Sequence, residues 1–243
     1  MLVRTLRTPV GVFRLLVDAY QDDLLRDRER TGAFVRMVCD HADGAEFADL
    51  GAGTGPLSVV AANAGARRVV AVERNPRRAR LLERNLRRYA PRDVRWEVVR
   101  ADARRVEVNA DVVVCEMIDT LLLEEDFVDV VNAALERYGP RVLPPEVRIG
   151  RRPLENPPRT PRYASTDVRG AGAETLEVIR TDGRIPKEFE YETPGPGYEF
   201  LTWVEYGGLV AGGSEVFCPG LRVRTPGAVV RGRRGEGLES LRV

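Results

Sequence analysis

The sequence predicts an α/β chain in three parts: a helical segment over residues 1–45, a parallel sheet wound with helices over 46–145, and a smaller β-rich domain over 146–243. Two observations carry this expectation. Phe47-Ala48-Asp49-Leu50-Gly51-Ala52-Gly53-Thr54-Gly55 runs from an apolar stretch through an acid into a glycine-rich turn. A helical stretch from Ser58 to Gly65 follows, and then a second apolar run, Arg68–Val72, that ends in Glu73. Strand, glycine turn, helix, strand and acid in that order make one ligand-binding βαβ unit. The second observation is a change of texture near residue 145. Beyond it proline and glycine become frequent, helical periodicity fades, and short β-like runs appear.

The remaining elements follow in order. Before the glycine turn, Val10–Leu16 is mostly apolar, and Ala33, Phe34, Met37 and Val38 recur at helical spacing, so residues 1–45 read as helical throughout. After Glu73, Arg77–Tyr89 carries Leu81, Leu82, Leu86 and Tyr89 as one apolar stripe, and its many arginines read as a solvated face. Pro91 ends this helix. Val94–Val99 is the next strand, and Ala110–Cys115 is a continuous apolar strand of the kind buried in a parallel sheet. Phe127–Tyr138 is a helix broken by Gly139-Pro140. The β-like runs of the last third are Val147–Gly150, Thr175–Ile179, Phe189–Glu192, Glu199–Tyr206, Leu209–Val210, Glu215–Phe217, Leu221–Val223 and Val229–Val230. Arg159–Arg184 is expected to contain a mobile loop.

Composition narrows the function classes. The 243 residues are 43% hydrophobic and 31% charged, with a net charge of +1, so nothing global directs the chain to nucleic acid or to a membrane. All but one of the 38 basic residues are arginine, Lys187 being the exception. Three cysteines without paired spacing and a single histidine, His41, speak against a disulfide framework, a metal site and a Ser-His-Asp triad. No signal peptide or long apolar run is present, and a cytoplasmic protein is expected. Arg231-Gly232-Arg233-Arg234-Gly235 reads as a flexible loop, and Asn156-Pro157-Pro158 lies away from the strand end where such a string could act on a base.

The glycine turn points to a nucleoside-containing ligand. Glycine lets the backbone approach a ligand where a Cβ would intervene, and the acid that closes the second strand can accept from a ribose diol. The spacing is G-A-G-T-G rather than G-x-G-x-x-G, and Asp49 would repel the pyrophosphate of a dinucleotide but suits an ammonium group.

At this point the residues resemble a known family. Asp-Leu-Gly-Ala-Gly-Thr-Gly followed by Ala71-Val72-Glu73 is similar to motif I and the acidic strand end of S-adenosylmethionine-dependent methyltransferases with a Rossmann-like sheet. The resemblance implies S-adenosyl-L-methionine as cofactor. It would be held by Asp49, Gly51, Ala52, Gly53, Thr54, Gly55, Glu73 and Arg74, with Asp102 and Ala103 beside the adenine.

Over residues 18–150 the similarity extends to the protein arginine methyltransferases. It runs through Leu24-Leu25-Arg26-Asp27-Arg28-Glu29-Arg30-Thr31, Val106-Glu107-Val108-Asn109-Ala110-Asp111 and Cys115-Glu116-Met117. It implies an N-terminal helix that lids the cofactor, with Arg30 on the methionine carboxylate. It also implies that Glu116 and Glu125, nine residues apart, are catalytic carboxylates that hold a substrate guanidinium, with Glu116 near the cofactor as well.

The family's Thr-His-Trp loop has no counterpart, since no histidine follows His41; Leu201-Thr202-Trp203 is the nearest string. The expected partner is a protein or peptide substrate, with neither membrane nor metal, and the oligomeric state stays open. RNA or a small nucleophile on the same fold is the alternative acceptor. An inactive cofactor-binding interaction protein is the alternative from another class.

Overall fold

The computed structural model describes residues 1–243 apart from 170, 171, 226 and 228. The centre is a five-stranded, all-parallel sheet of β3 (Glu46–Leu50), β4 (Arg68–Val72), β5 (Arg95–Val99), β6 (Val112–Cys115) and β7 (Arg141–Leu143), in spatial order β5-β4-β3-β6-β7. The numbering grows leftward from β3 and then restarts rightward at β6. The crevice beyond the carboxyl ends of β3 and β6 is therefore the switch point, where an open parallel sheet binds its ligand. Every residue of β6 is buried, as the uninterrupted apolar run requires.

Three helices connect these strands. α3 (Pro56–Asn63) starts from Gly55 in a left-handed conformation with proline at its first position. α4 (Pro76–Tyr89) is capped by Asn75, whose side chain accepts from the backbone N–H of Arg77 and Arg78. α5 (Phe127–Tyr138) ends on left-handed Gly139. The N-terminal helices are α1 (Ala19–Arg26) and α2 (Arg28–His41), each opened by an aspartate cap, Asp18 and Asp27.

The first seventeen residues are not helical. β1 (Leu2–Thr8) and β2 (Gly11–Val17) form an antiparallel hairpin turned at Pro9-Val10. Phe13, Leu15 and Val17 point inward and Val12 and Arg14 outward, so the apolar stretch from Val10 is a period of two rather than a helical face. The Asn85 side chain of α4 both donates to and accepts from Leu16, and the Tyr89 hydroxyl bridges the backbone of Arg14.

The prolines Pro144-Pro145 separate the parallel sheet from the β-rich part. There β8 (Glu146–Pro153), β9 (Arg162–Ala164), β10 (Glu174–Arg180), β12 (Gly197–Tyr206), β13 (Leu209–Gly212) and β14 (Gly220–Arg224) make an antiparallel sheet. β11 (Glu188–Glu192) pairs separately with β15 (Val229–Arg233).

Two expectations change here, and a third falls partly outside the described residues. Glu215–Phe217 is loop, not strand. The stretch 159–184 contains β9 and all of β10, and its residues 170 and 171 lie outside those described. Arg231–Gly235 is no flexible loop: it closes β15 and buries Arg234 completely, with the guanidinium on Glu177 at 2.6 Å and on the carbonyl of Pro186 at 2.6 Å.

Candidate active site

A cavity of about 410 Å³ opens at the switch point. Its wall takes Gly51, Gly53, Glu73, Arg74, Asp102, Ala103, Glu116 and Glu125 from the predicted set. Gly51 and Gly53 have φ of +83° and +57°, and a Cβ on Gly53 would come within 2.6 Å of the Gln21 amide nitrogen. The turn thus accepts only glycine there, and it lies against α1. Glu73 is buried, and its two oxygens accept from the backbone N–H of Gly53 at 2.8 Å and of Asn75 at 2.6 Å. Each oxygen keeps a lone pair for a hydroxyl in the cavity.

Other predicted residues lie away from this wall. Asp49 and Ala52 line a small side recess shared with Arg30, Gly51 and Glu116. Asp49 accepts from the Ser58 hydroxyl at 2.6 Å, and burial pushes its carboxyl up to about 6. Thr54 and Gly55 line neither space: Thr54 is buried against Gln21, and Gly55 opens α3 against Leu82. Asp102 faces the cavity but is also held by Arg104, through side chain and backbone, which keeps its carboxyl near 2.

The acidic loop after β6 is the most unusual part. Glu116 is engaged by Arg30 in a two-pronged pair, Nε to Oε1 at 2.5 Å and Nη2 to Oε2, while Arg30 Nη1 donates to the carbonyl of Leu24. Arg30 is buried, and the Phe217 ring lies 5.4 Å from its guanidinium carbon. The residues predicted for the cofactor carboxylate and for the acceptor therefore meet each other. Glu125 sits just before α5 with its carboxyl raised by burial and by Asp126.

Asp119 was not among the predicted residues. It lines the same cavity, accepts from the backbone N–H of Glu124 at 2.8 Å and of Glu125 at 3.4 Å, and is pushed by burial up to about 7. An aspartate five and six residues before two backbone donors is a weak sequence signal, and only the folded loop makes it visible. Tyr20, Gln21, Met117, Phe217 and Cys218 also join the wall, the last two from the loop between β13 and β14.

The loop backbone is strained and sewn to the β-rich part. Leu121 and Leu122 have φ of +60° and +58°, and both are fully buried. Leu121 N donates to Thr202 Oγ1 at 2.8 Å, Thr120 Oγ1 donates to the carbonyl of Pro219, and Gly235 N and Gly237 N donate to the carbonyls of Leu122 and Leu123. Thr202, in the string Leu201-Thr202-Trp203, thus reaches the acidic loop.

Among the described residues no group of His, Cys, Asp and Glu is arranged to hold a metal ion, and no helix is long and apolar enough to cross a membrane.

Comparison with known proteins gives a family and a fold. The family model described as the TRM5/TYW2 methyltransferase domain matches residues 17–139. A protein of Methanothermobacter thermautotrophicus, described as uncharacterized, is 38% identical over 124 residues. The match covers 51% of this chain and 48% of that protein, so the chain spans about half the length of the curated relative it matches.

Among solved structures, the Trypanosoma brucei PRMT1 enzyme–prozyme complex with AdoHcy superposes with a TM-score of 0.68 at 15% identity, over 89% of each chain. Arabidopsis thaliana protein arginine methyltransferase 10 gives 0.67 at 16% identity, over 87% of this chain and 85% of that one. At such identities the likeness to the arginine methyltransferases is one of fold.

Proposed function

We propose that this chain, which belongs to the TRM5/TYW2 methyltransferase domain family, is an S-adenosylmethionine-dependent methyltransferase whose acceptor is a guanidinium nitrogen of a protein or peptide. The observation that carries the acceptor class is the charge of the cavity. Among the described residues Glu73, Asp102, Glu116, Asp119, Glu125 and Asp126 all face it, against Arg74 and Arg78. An acceptor that brings its own positive charge and several N–H donors fits that wall.

The residues present fit the cofactor. The turn at Gly53 is a cradle that a Cβ would fill. Glu73 is fixed by two backbone N–H groups and retains accepting capacity for a ribose. Asp102, with the small Ala103 beside it, suits an adenine amino group. Arg30 keeps two unused N–H hydrogens after its bonds to Glu116 and Leu24, which suits a carboxylate. When bound, the cofactor supplies an electrophilic methyl group. The chain's own contribution is to position the acceptor nitrogen, hold its charge and keep water out.

The deciding experiment is transfer of labelled methyl from S-adenosylmethionine into a lysate, followed by separation of protein from RNA and hydrolysis of the protein. Label on arginine nitrogen is the expected result. Label confined to RNA would overturn the guanidinium assignment.

One feature favours RNA as the second reading. α4 starts at the cavity, where Arg74 and Arg78 line the wall, and presents Arg77, Arg80, Arg84, Arg87 and Arg88 on its exposed side. Arg87 pairs with Glu83, whereas among the described residues Arg77, Arg80 and Arg84 have no carboxylate within 4.0 Å. Such a row could track phosphates. RNA affinity that falls steeply with salt, and less steeply after replacing these three arginines, would support that reading.

A further inference from the structure

We infer that Asp119 and Glu125, rather than Glu116, are the carboxylates that grip the acceptor, and that Glu116 is a positioning residue for Arg30. The inference rests on the guanidinium reading above and assigns its residues.

The cavity's acids differ in what already satisfies them. Glu73 accepts one backbone N–H on each oxygen beneath the glycine turn, and its remaining lone pairs are assigned to the ribose. Asp102 is forked by Arg104. Asp126 lies 3.2 Å from both Arg74 and Arg104. Glu116 carries a guanidinium on both oxygens. For an incoming guanidinium to occupy Glu116 in the same way, Arg30 would have to leave. That would strand a buried cation beside Phe217, which is costly.

Asp119 and Glu125 are different. Among the described residues neither has a basic side chain within 4.0 Å of its carboxylate, while both face the cavity. Asp119 accepts one backbone N–H on each oxygen, which fixes its plane and leaves a lone pair on each. One of those donors is the amide of Glu125 itself, so the two acids are carried by a single closed turn. The turn is held from the other side by Thr202, Gly235 and Gly237. Burial raises both carboxyls, the state of two acids waiting for a cation.

Glu116 acts one step away. By filling the Nε and Nη2 edge of Arg30 it leaves the remaining N–H hydrogens of the guanidinium for the cofactor carboxylate. Its loss is therefore felt in cofactor binding.

The test uses full-length protein, S-adenosylhomocysteine and a fluorescent Gly-Arg-Gly-Gly peptide. Cofactor affinity is read by calorimetry, and peptide affinity by polarisation at saturating S-adenosylhomocysteine. Asp119→Asn, which keeps one of the two turn bonds, and Glu125→Gln should each lose roughly ten-fold or more in peptide affinity, the worth of a charge-assisted bond. Both should hold S-adenosylhomocysteine as the unmodified protein does, which also reports that they fold. Glu116→Gln should lose cofactor affinity and, once saturated, bind the peptide normally. The reverse pattern, peptide affinity lost in Glu116→Gln and intact in Asp119→Asn, would overturn the inference while leaving the guanidinium reading in place. Failure of the unmodified, cofactor-loaded protein to distinguish the peptide from its Gly-Lys-Gly-Gly analogue would sink that reading, and the inference with it.

Discussion

Replacing Thr202 by valine tests whether the β-rich part holds the acidic loop in its working shape. Thr202 is fully buried in β12, and its hydroxyl accepts the backbone N–H of Leu121 at 2.8 Å. Valine keeps the volume and removes the acceptor, so a buried N–H is left unpaired at a cost of about 1–3 kcal/mol. The bond opposes a strain of similar size, because each non-glycine residue held at positive φ costs on the order of 1–3 kcal/mol, and Leu121 and Leu122 are two in succession. The remaining anchors hold its neighbours and not Leu121 itself: Thr120 on the carbonyl of Pro219, and Leu122 and Leu123 on Gly235 and Gly237. They leave Leu121 free to relax toward an ordinary conformation, and the relaxation displaces Asp119 and Glu125 together.

The expected melting temperature is lower by about 2–10 °C for a chain of this size. The acceptor KM should rise roughly ten-fold or more, with affinity for S-adenosylhomocysteine unchanged. Thermal denaturation, calorimetry and initial rates read these three quantities. A variant that melts lower but methylates with an unchanged KM would refute the reasoning, since the loop would then keep its geometry without the bond.

Other outcomes follow from the same site. Glu73→Ala removes the acceptor of the Gly53 and Asn75 N–H groups and should weaken S-adenosylhomocysteine binding by about 10- to 100-fold; an unaltered calorimetric dissociation constant in a folded variant would exclude a ribose role. Gly53→Ala forces a Cβ against Gln21 at a positive φ and should abolish binding by the same assay, with circular dichroism confirming the fold. The cofactor-free protein should be more stable at pH 5 than at pH 8. Asp49 and Asp119 titrate at about 6 and about 7, above the ordinary 3.8, so the folded state holds protons that the unfolded chain releases, and stability falls as pH rises through that interval. The ion-paired Asp22 and Asp102, both near 2, act oppositely but only below about pH 4. Urea midpoints that stay level from pH 5 to 8 would contradict this, and Asp49→Asn should flatten part of the slope.

What the sequence made legible was whatever depends on neighbours along the chain. The β3–α3–β4 unit, α4 and α5 are set by turns, caps and periodicity within about fifteen residues, and they stand where the residues placed them. The hairpin was not legible, because Val12-Phe13-Arg14-Leu15-Leu16 satisfies a helical stripe and an alternating strand equally until α4 supplies Asn85 and Tyr89 as partners. Arg234 reads as part of a glycine-rich loop until Glu177, 57 residues earlier, folds onto it. Arg30 and Glu116 were each visible, but the pair they form spans 86 residues, and no local pattern announces it.

α2 has a consequence for how the cavity can be entered. Its carboxylate at Glu29 accepts from Val210 N and from Arg169, its Arg36 donates to the carbonyl of Gly207, and its Asp40 accepts from the Tyr206 hydroxyl. At Gly32 the two elements pack closely, with the Leu209 side chain 2.9 Å from where a Cβ would be. The helix is thus bolted along its length to the turn between β12 and β13, and it serves as a strut rather than a cover. α1 is fastened at fewer points: its Asp22 is tied to Arg4 of the hairpin, its cap Asp18 to Arg78 at the cavity mouth, and its Leu24 carbonyl accepts from Arg30. Admission to the cavity then falls to α1 as the door, while the hairpin is tied to α4 through Asn85 and Tyr89 and Arg30 stays on the frame. Hydrogen exchange without cofactor should find the amides of α1 fast and those of α2 slow; equal rates would mean that door and frame move as one.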